Sequence, residues 1–537
     1  MSIRSEQQFD YIIVGGGSAG CVVANRLSAD PAVKVCLVEA GPGDRRPVVR
    51  QLVNIPAGTL GLIANPRYDW MYSFDANDQA GHRDIFCPRG RVLGGSSAIN
   101  GSIYIRGARS DYDRWASLGN TGWGYRDVLP YFTRHENFEG DSSPWHGVGG
   151  ELNVTRLRSP HRVSNAFVAA ALEAGHRFND DFNGATQAGF GHYHVTQRHG
   201  ERMSSSRSFL HPVLSRPNLT IVTDALVERI LFQNRTATGI EFVHDRVKHV
   251  FNARREIVLS AGTIGSPQLL MLSGIGPAQH LSDLGIRTVH ALPGVGYNLH
   301  DHQDILMAFD SPRSDLFGLS IRALPWLAAS PFRYYLDRKG PWTSNTVEAG
   351  GFFKSSASQI EPDLQLIIRP LLGNQPKSRI PRGHGFSVHI SLMRPASRGR
   401  LLLRSADPAD KPLLQSNFLS GGDDARRLSL GIAEVRRIVS MPAMSAFRGD
   451  EIEPGKHRQS EDALSDYVHS HVATTFHPVG TCKMGTDAMA VVNPDLRVCG
   501  IDGLRVADAS IMPAITSGNT NAPSIMIGEK CAALILG

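Results

Sequence analysis

The chain has 537 residues, 41% of them hydrophobic and 20% charged, and a formal net charge of +6. That length exceeds one ordinary core and implies two domains or two interpenetrating layers, and the composition is that of a folded globular protein. No apolar run reaches the roughly 18–20 residues that a membrane-spanning helix needs, the start MSIRSEQQ lacks the apolar core of a secretory signal, the basic residues form no tract suited to nucleic acid, and six scattered cysteines without a CxxC pair suit neither zinc nor a disulfide framework.

Along the chain, Phe9 to Val14 reads as a strand ending in three glycines, Ser18 to Ser28 as a helix and Val33 to Glu39 as a second strand, a β-α-β unit. Gly15-Gly16-Gly17-Ser18-Ala19-Gly20 supplies the G-x-G-x-x-G spacing at its first turn. Gly15 permits the tight turn, Gly17 lets backbone approach a pyrophosphate at the positive helix end, and Gly20 lets helix pack on strand. Glu39 stands where a carboxylate holds an adenosine ribose and disfavours a 2′-phosphate. This unit alone leaves FAD and NAD both open.

The run from Gly90 to Asn100 has no role in a typical nicotinamide enzyme. Its paired glycines permit close approach to a flat ring, and its serines and asparagine offer donors to the carbonyl and nitrogen edge of a flavin. Asp111 to Gly119 and Trp123 to His135 read as helices, Glu151 to Val154 as a strand, and Asn218 to Val222, Ala225 to Phe232 and Ala237 to Val243 as three short strands. Glu256 to Ala261 reads as a further strand, and a helix is expected to begin near Ser266-Pro267, because proline suits a helix start. From His302 to Ala473 strands and helices mix without glycine fingerprints. The fingerprint style returns with HPVGTCKMG and with Leu504 to Ala507, a strand leading into Asp508. One domain is therefore assembled from separated segments, with another inserted between them.

The sequence resembles the glucose–methanol–choline (GMC) oxidoreductase family. Gly90 through Asp113 fits its first signature at every constrained position and Gly262 through Gly276 its second; Gly294-Val295-Gly296 with Asn298, His477 through Thr481 and Asp508 through Lys530 follow in family order. The run ATTFHPVGTCKMG and the ending ASIMP–GNTNAP–IMIGEK are most similar to the bacterial branch holding aliphatic alcohol dehydrogenases and choline dehydrogenases. The resemblance implies an α/β fold (α+β overall), with a Rossmann-like FAD-binding domain and a smaller substrate domain of antiparallel sheet plus helices. The FAD-binding domain would comprise residues 1–160, 200–301 and 474–537, and the substrate domain mainly residues 302–473, with 161–199 joined to it.

It further implies FAD contacts from Gly15, Gly17, Ser18, Ala19, Gly20, Glu39, Ala40, Trp70, Leu93, Gly94, Ser96, Ser97, Ala98 and Asn100. Val227 would pair with the adenine through its backbone, Asp508 and Ala509 would lie near the ribityl chain, and Asn521 would meet the pyrimidine side. Some relatives tether their flavin to a histidine where this chain has Ile99, so FAD is expected to be held non-covalently. His477 falls on the family's catalytic base, and Asn519 on the second catalytic position, with Asn521 the alternative two residues on. His300 and His302 show no third metal ligand, so no metal is expected. Glu348 reads as a surface or structural carboxylate rather than a substrate contact.

The implied reaction is oxidation of a primary alcohol to an aldehyde, with His477 taking the hydroxyl proton, hydride passing to flavin N5, and electrons going on to a quinone or another acceptor. Open beside it are an alcohol or choline oxidase that makes hydrogen peroxide, a choline dehydrogenase and, in another class, a hydroxynitrile lyase with non-redox FAD. The expected setting is cytoplasmic, with the cytoplasmic membrane face as an option and no nucleic-acid partner.

Overall fold

A computed structural model describes residues 6–318, 320–373 and 383–537. The expected β-α-β unit is there, as strand Glu6–Val14, helix Ser18–Leu27 and strand Val35–Val38. These strands sit inside a sheet whose order continues from Leu219–Val222 through Val35–Val38, Glu6–Val14 and Val247–Leu259 to Thr236–His244 and Ala225–Gln233. The first four of these run parallel. Val35 through Val38 are all buried, as a parallel strand covered on both faces requires. The C-terminal helix Asn521–Leu536 packs on helix Ser18–Leu27. Gly528 permits that contact, because a Cβ there would lie 2.7 Å from the backbone oxygen of Ala19. Arg26 ties the same elements together, donating to Glu529 at 2.6 Å and to Glu151 at 2.8 Å.

Val247–Leu259 is longer than the Glu256 to Ala261 strand read from sequence. Its first ten residues, VKHVFNARRE, are charge-rich and largely half-solvated, which hid the periodicity. One edge pairs with Glu6–Val14. The other is shared, antiparallel to Thr236–His244 in its first half and parallel to Leu504–Val506 in its second. Helix Gly262–Leu272 follows and begins four residues before the expected Ser266, leaving Pro267 inside it. Pro267 lacks the N–H that would bond the carbonyl of Thr263. That carbonyl instead accepts the Thr481 hydroxyl at 2.6 Å, while the Thr263 hydroxyl donates to the carbonyl of Pro478 at 2.7 Å. A proline in a helix and a distant C-terminal loop thus satisfy each other.

The second large sheet has the order Glu451–Glu453, Gln303–Asp310, Gly385–Leu392, Leu364–Arg369, Ala349–Phe353, Gly189–His192, and Ala473–Thr474 extends it beside Gln303–Asp310. Every pairing in it is antiparallel. Helices Asp424–Ser440 and Arg162–Glu173 pack on it and on each other. Among the described residues, no helix is long and apolar enough to cross a membrane.

Thr481→Val should leave the Thr263 carbonyl buried and unpaired, at a cost of about 1–3 kcal/mol. A lower denaturant midpoint than wild type is expected, with Thr481→Ser close to wild type; equal midpoints for Thr481→Val and wild type would refute the coupling.

Candidate active site

Between the two sheets lies a cavity of about 720 Å³. On the side of the parallel sheet its wall contains Gly15, Gly17, Ser18, Ala19, Glu39 and Ala40, at the carboxyl ends of the strands, where ligands of open α/β sheets bind. Trp70, Ser96, Asn100, Val227, Asp508, Ala509, Asn519 and Asn521 also line it. From the antiparallel side come Ile367, Arg369 and His389. The remaining residues expected at the cofactor, Gly20, Leu93, Gly94, Ser97 and Ala98, contact protein instead. A Cβ at Gly20 would lie 2.0 Å from the Gly15 oxygen. The N–H of Leu93 donates to Pro42 at 3.0 Å and that of Gly94 to Gly16 at 2.7 Å. Ser97 donates to Gly94 at 2.5 Å and accepts the N–H of Ser205 at 2.9 Å, and Ala98 is buried.

The wall has the shape and polarity a dinucleotide needs. At Gly15, φ is +102° and a Cβ would lie 2.4 Å from the oxygen of Ser260, so only glycine makes this turn. Gly17 is open, since a Cβ there would meet only the Ser260 oxygen at 3.8 Å. No side chain caps helix Ser18–Leu27, which leaves its first N–H groups and the positive dipole end for phosphate. Glu39 accepts the N–H groups of Gly16 and Gly41, each at 2.8 Å, and burial pushes its carboxyl up to about 7. Asp508 accepts the N–H of Gly262 at 2.9 Å and the hydroxyl of Ser266 at 2.6 Å. Trp70 stacks on Tyr72 beneath the Arg91 guanidinium. Among the described residues, no group of three His, Cys, Asp or Glu side chains is arranged to hold a metal ion.

His477 lines the same cavity, and its hydrogen bonds define its tautomer. Nε2 of His302 faces the carbonyl of Thr516 at 3.0 Å, an acceptor only, so Nε2 carries the proton. His302 is fully buried, and burial pushes its pKa down to about 3, so the ring is neutral and its Nδ1 is an acceptor. Nδ1 of His477 lies 3.1 Å from that Nδ1, to which it can only donate, and 3.1 Å from the Thr475 hydroxyl, which can accept the same proton. Nε2 of His477 is left with its lone pair, and the Asn519 amide donates to it at 3.1 Å. Burial, with His302 and Arg89 nearby, holds the His477 pKa well below the ordinary value. Asn521, the alternative partner, instead accepts the Ser18 hydroxyl at 2.8 Å and opens the C-terminal helix.

The backbone around His477 is equally constrained. Phe476, just before it, is left-handed with φ of 68°, a conformation that needs support in a non-glycine residue. The Arg89 guanidinium donates to its carbonyl, and the Thr474 hydroxyl accepts its N–H at 2.7 Å. Asp301 accepts the N–H of His477 at 2.9 Å and the Thr474 hydroxyl at 2.5 Å. Asp301 and His302 are the supports that sequence reading missed. They lie in Leu299-His300-Asp301-His302, and no local pattern links that loop to a histidine 175 positions away. Also unforeseen is Arg202, fully buried, which donates to the side chains of Asn100 and Ser102, each at 2.8 Å. Glu348 is a buried structural carboxylate, accepting from the His161 N–H and the Ser164 and Ser344 hydroxyls.

The N-terminal family model for GMC oxidoreductases matches residues 9–304, and the C-terminal one matches residues 395–528. The chain is 44% identical over 533 residues to an alcohol dehydrogenase [acceptor] of Pseudomonas putida, covering 98% of this chain and 96% of that protein. It is 40% identical over 537 residues to an oxygen-dependent choline dehydrogenase of Brucella ovis, covering 98% and 95%. Among solved structures, a formate oxidase variant of Aspergillus oryzae RIB40, studied for FAD modification, superposes with a TM-score of 0.90 at 28% identity, covering 99% of each chain.

Nitrogen NMR of imidazole-labelled protein should report the Nδ1–H tautomer for His477, and His302→Ala combined with Thr475→Val, which removes both acceptors, should mix the two tautomers. An Nε2–H tautomer in the wild type would overturn the assignment.

Proposed function

This chain belongs to the GMC oxidoreductase family, and from that premise we propose how its residues divide the reaction. It is an FAD-dependent enzyme that oxidises alcohols at CH–OH groups. We read its substrates as primary alcohols, converted to aldehydes. Residues 1–160, 200–301 and 474–537 form the FAD-binding part and 302–473, with 161–199, mainly the substrate part. The pairing of Gly189–His192 with Ala349–Phe353 supports that division.

FAD, when bound, supplies the acceptor for the hydride leaving the carbinol carbon. Gly15, Gly17, Ser18 and Ala19 hold its phosphates, Glu39 and Ala40 the adenosine ribose, and Val227 the adenine. Trp70, Ser96, Asn100, Asp508, Ala509 and Asn521 hold the rest, while Gly20, Leu93, Gly94, Ser97 and Ala98 shape the backbone around it. Ile99 has no nucleophile, so the attachment is non-covalent. Nε2 of His477 takes the hydroxyl proton. The Asn519 amide, now bonded to that nitrogen, turns its N–H to the developing alkoxide, and a preformed donor in a dry site is worth far more than in water. The positive charge gained by His477 is eased by the Nδ1–H bond to His302.

The observation carrying this reading is the proton-free Nε2 of His477 at the cavity wall, whose one partner among the described residues is the Asn519 amide. His477→Ala should keep yellow FAD but lose about 10²–10⁴ in the rate at which alcohol bleaches it anaerobically. Because the His477 pKa is depressed, the base stays neutral and the wild-type rate stays level as pH falls through 6.5, declining only further down. Unchanged bleaching in the variant, or a rate already halved at pH 6.5, would remove the base assignment.

A second observation supports a quinone in the membrane as electron acceptor, and a membrane-surface setting. Helix Leu324–Asp337 turns Leu324, Ala328, Phe332 and Leu336 outward at four-residue spacing, with Phe332 70% and Leu336 80% exposed, while Ser330 and Tyr334 face inward. A surface helix ordinarily has the opposite polarity. Arg322, Arg333 and Lys339 flank this face, with Arg45 and Arg50 on the neighbouring segment that Tyr335 reaches through Gln51. None of these five makes an ion pair among the described residues. The turn Pro341–Thr343 packs on Pro56–Gly58, which leads into Thr59, Leu60 and Ile63 of the cavity wall. An apolar face with a basic rim beside the cavity suits an anionic lipid surface. The protein should co-sediment with vesicles containing anionic phospholipid, less so at high salt, and Phe332→Glu with Leu336→Glu should abolish it. Equal sedimentation of that double variant would count against this face.

A further inference from the structure

The substrate side of the cavity contains a charge that the reaction above does not use. On the antiparallel sheet, Ile367 pairs with His389 and Asp304 with Ser391, so Asp304, His389, Ile367 and Arg369 all belong to one face. Three of them, Ile367, Arg369 and His389, line the cavity. Asp304 is fully buried and accepts from Nδ1 of His389 at 2.6 Å and from the Ser391 hydroxyl at 2.9 Å. With Nδ1 directed to Asp304, the other ring nitrogen, Nε2, faces Nη1 of Arg369 at 3.5 Å.

That long contact is the only hydrogen bond of the Arg369 side chain among the described residues. Its Nε is buried without a partner. No described carboxylate lies within ion-pair distance of it, and residues 1–5, 319 and 374–382 include no Asp or Glu. Arg369 is half-buried at the cavity wall, with its Nε enclosed and unpartnered, so its guanidinium has hydrogen-bonding capacity left for a ligand. Its fork geometry matches a carboxylate with two parallel bonds. The nearest acid, Asp304, is already occupied by His389 and Ser391.

We propose that Arg369 anchors a carboxylate at the far end of the substrate, so that this enzyme prefers ω-hydroxycarboxylates to plain alkanols and disfavours choline. The proposal rests on the reading of this cavity as the alcohol-oxidation site. Arg369 and His477 line the same cavity, so a ligand filling it meets both. Asp304 lies two residues beyond His302, roughly 7 Å along an extended chain, and His302 touches His477. The hydroxyl sits at His477 and Asn519, the methylene chain crosses Ile367, and the carboxylate meets Arg369. A quaternary ammonium in the carboxylate's place would face a like charge.

The test compares kcat/KM for a series of straight-chain ω-hydroxycarboxylates, the matched primary alkanols and choline, using FAD-loaded wild type, Arg369→Met and Arg369→Lys. In wild type the hydroxycarboxylate of best length should exceed its alkanol, and Arg369→Met should lower that ratio on the order of 10- to 100-fold, the worth of one charge-assisted pair. Arg369→Lys, which keeps the charge, should retain much of the ratio. In parallel, binding of hexanoate is followed by its perturbation of the flavin absorbance; it should weaken in Arg369→Met and persist in Arg369→Lys. A wild-type ratio near one, or hexanoate affinity equal in wild type and Arg369→Met, overturns the proposal. Failure of every alcohol to bleach the flavin would instead strike the reading of the cavity, and the hexanoate comparison would still judge Arg369.

Discussion

The chemistry depends on one nitrogen lone pair kept neutral and aimed. Nε2 of His477 is available only because Nδ1 carries the proton, which has two acceptors at 3.1 Å, Nδ1 of His302 and the Thr475 hydroxyl. His302 can accept because the carbonyl of Thr516 claims its other nitrogen. A main-chain oxygen in the C-terminal segment, acting through two rings and seconded by the Thr475 hydroxyl, thus helps fix which atom of His477 can act as base. Burial completes the arrangement, since water around either ring would open the low-pKa imidazoles to protonation.

The two sheets exist in this relation because of elements that belong to both halves of the sequence. Gln303–Asp310 starts next to His302, beside Ala473–Thr474, and continues into the sheet that carries Arg369. Helix Gly262–Leu272 begins at the end of a parallel strand and is held at Thr263 by the loop following His477. The base is therefore located by contacts to both sheets, and the cavity is the gap they leave. Polar groups near it are spent on backbone: Asp301 on the His477 loop, Arg202 on the Asn100 loop, Asp508 on the start of helix Gly262–Leu272.

Local patterns were legible in the sequence wherever one element carries its own signal. The glycine fingerprint, the first two strands and the helix between them could be read because turn, periodicity and terminal acid lie close together. His477 and Asn519 were legible through their motifs, and the structure brings them within 3.1 Å of each other. The helix start near Ser266-Pro267 was misplaced because proline's local preference was outweighed by a distant donor, Thr481, that serves the freed carbonyl. The long strand Val247–Leu259 was cut short because its two halves meet different neighbours and so obey different burial patterns. The roles of His302 and Asp301 beside His477, and Arg369 altogether, were not legible for a common reason. Their meaning lies in what faces them across the fold, which spacing along a chain does not encode.

The pairing of Leu504–Val506 with the central sheet and the seating of Asn521–Leu536 on Ser18–Leu27 have a consequence for biosynthesis. The glycine-rich turn of the nucleotide cradle is translated long before Leu504–Val506 and Asn521–Leu536, which supply a sheet strand and a covering helix. Until those two segments emerge, the nascent chain must carry an unfinished sheet edge and an uncovered apolar helix, the kind of surface that chaperones hold. Cofactor capture is therefore a late event, waiting on these segments rather than on emergence of the glycine-rich turn.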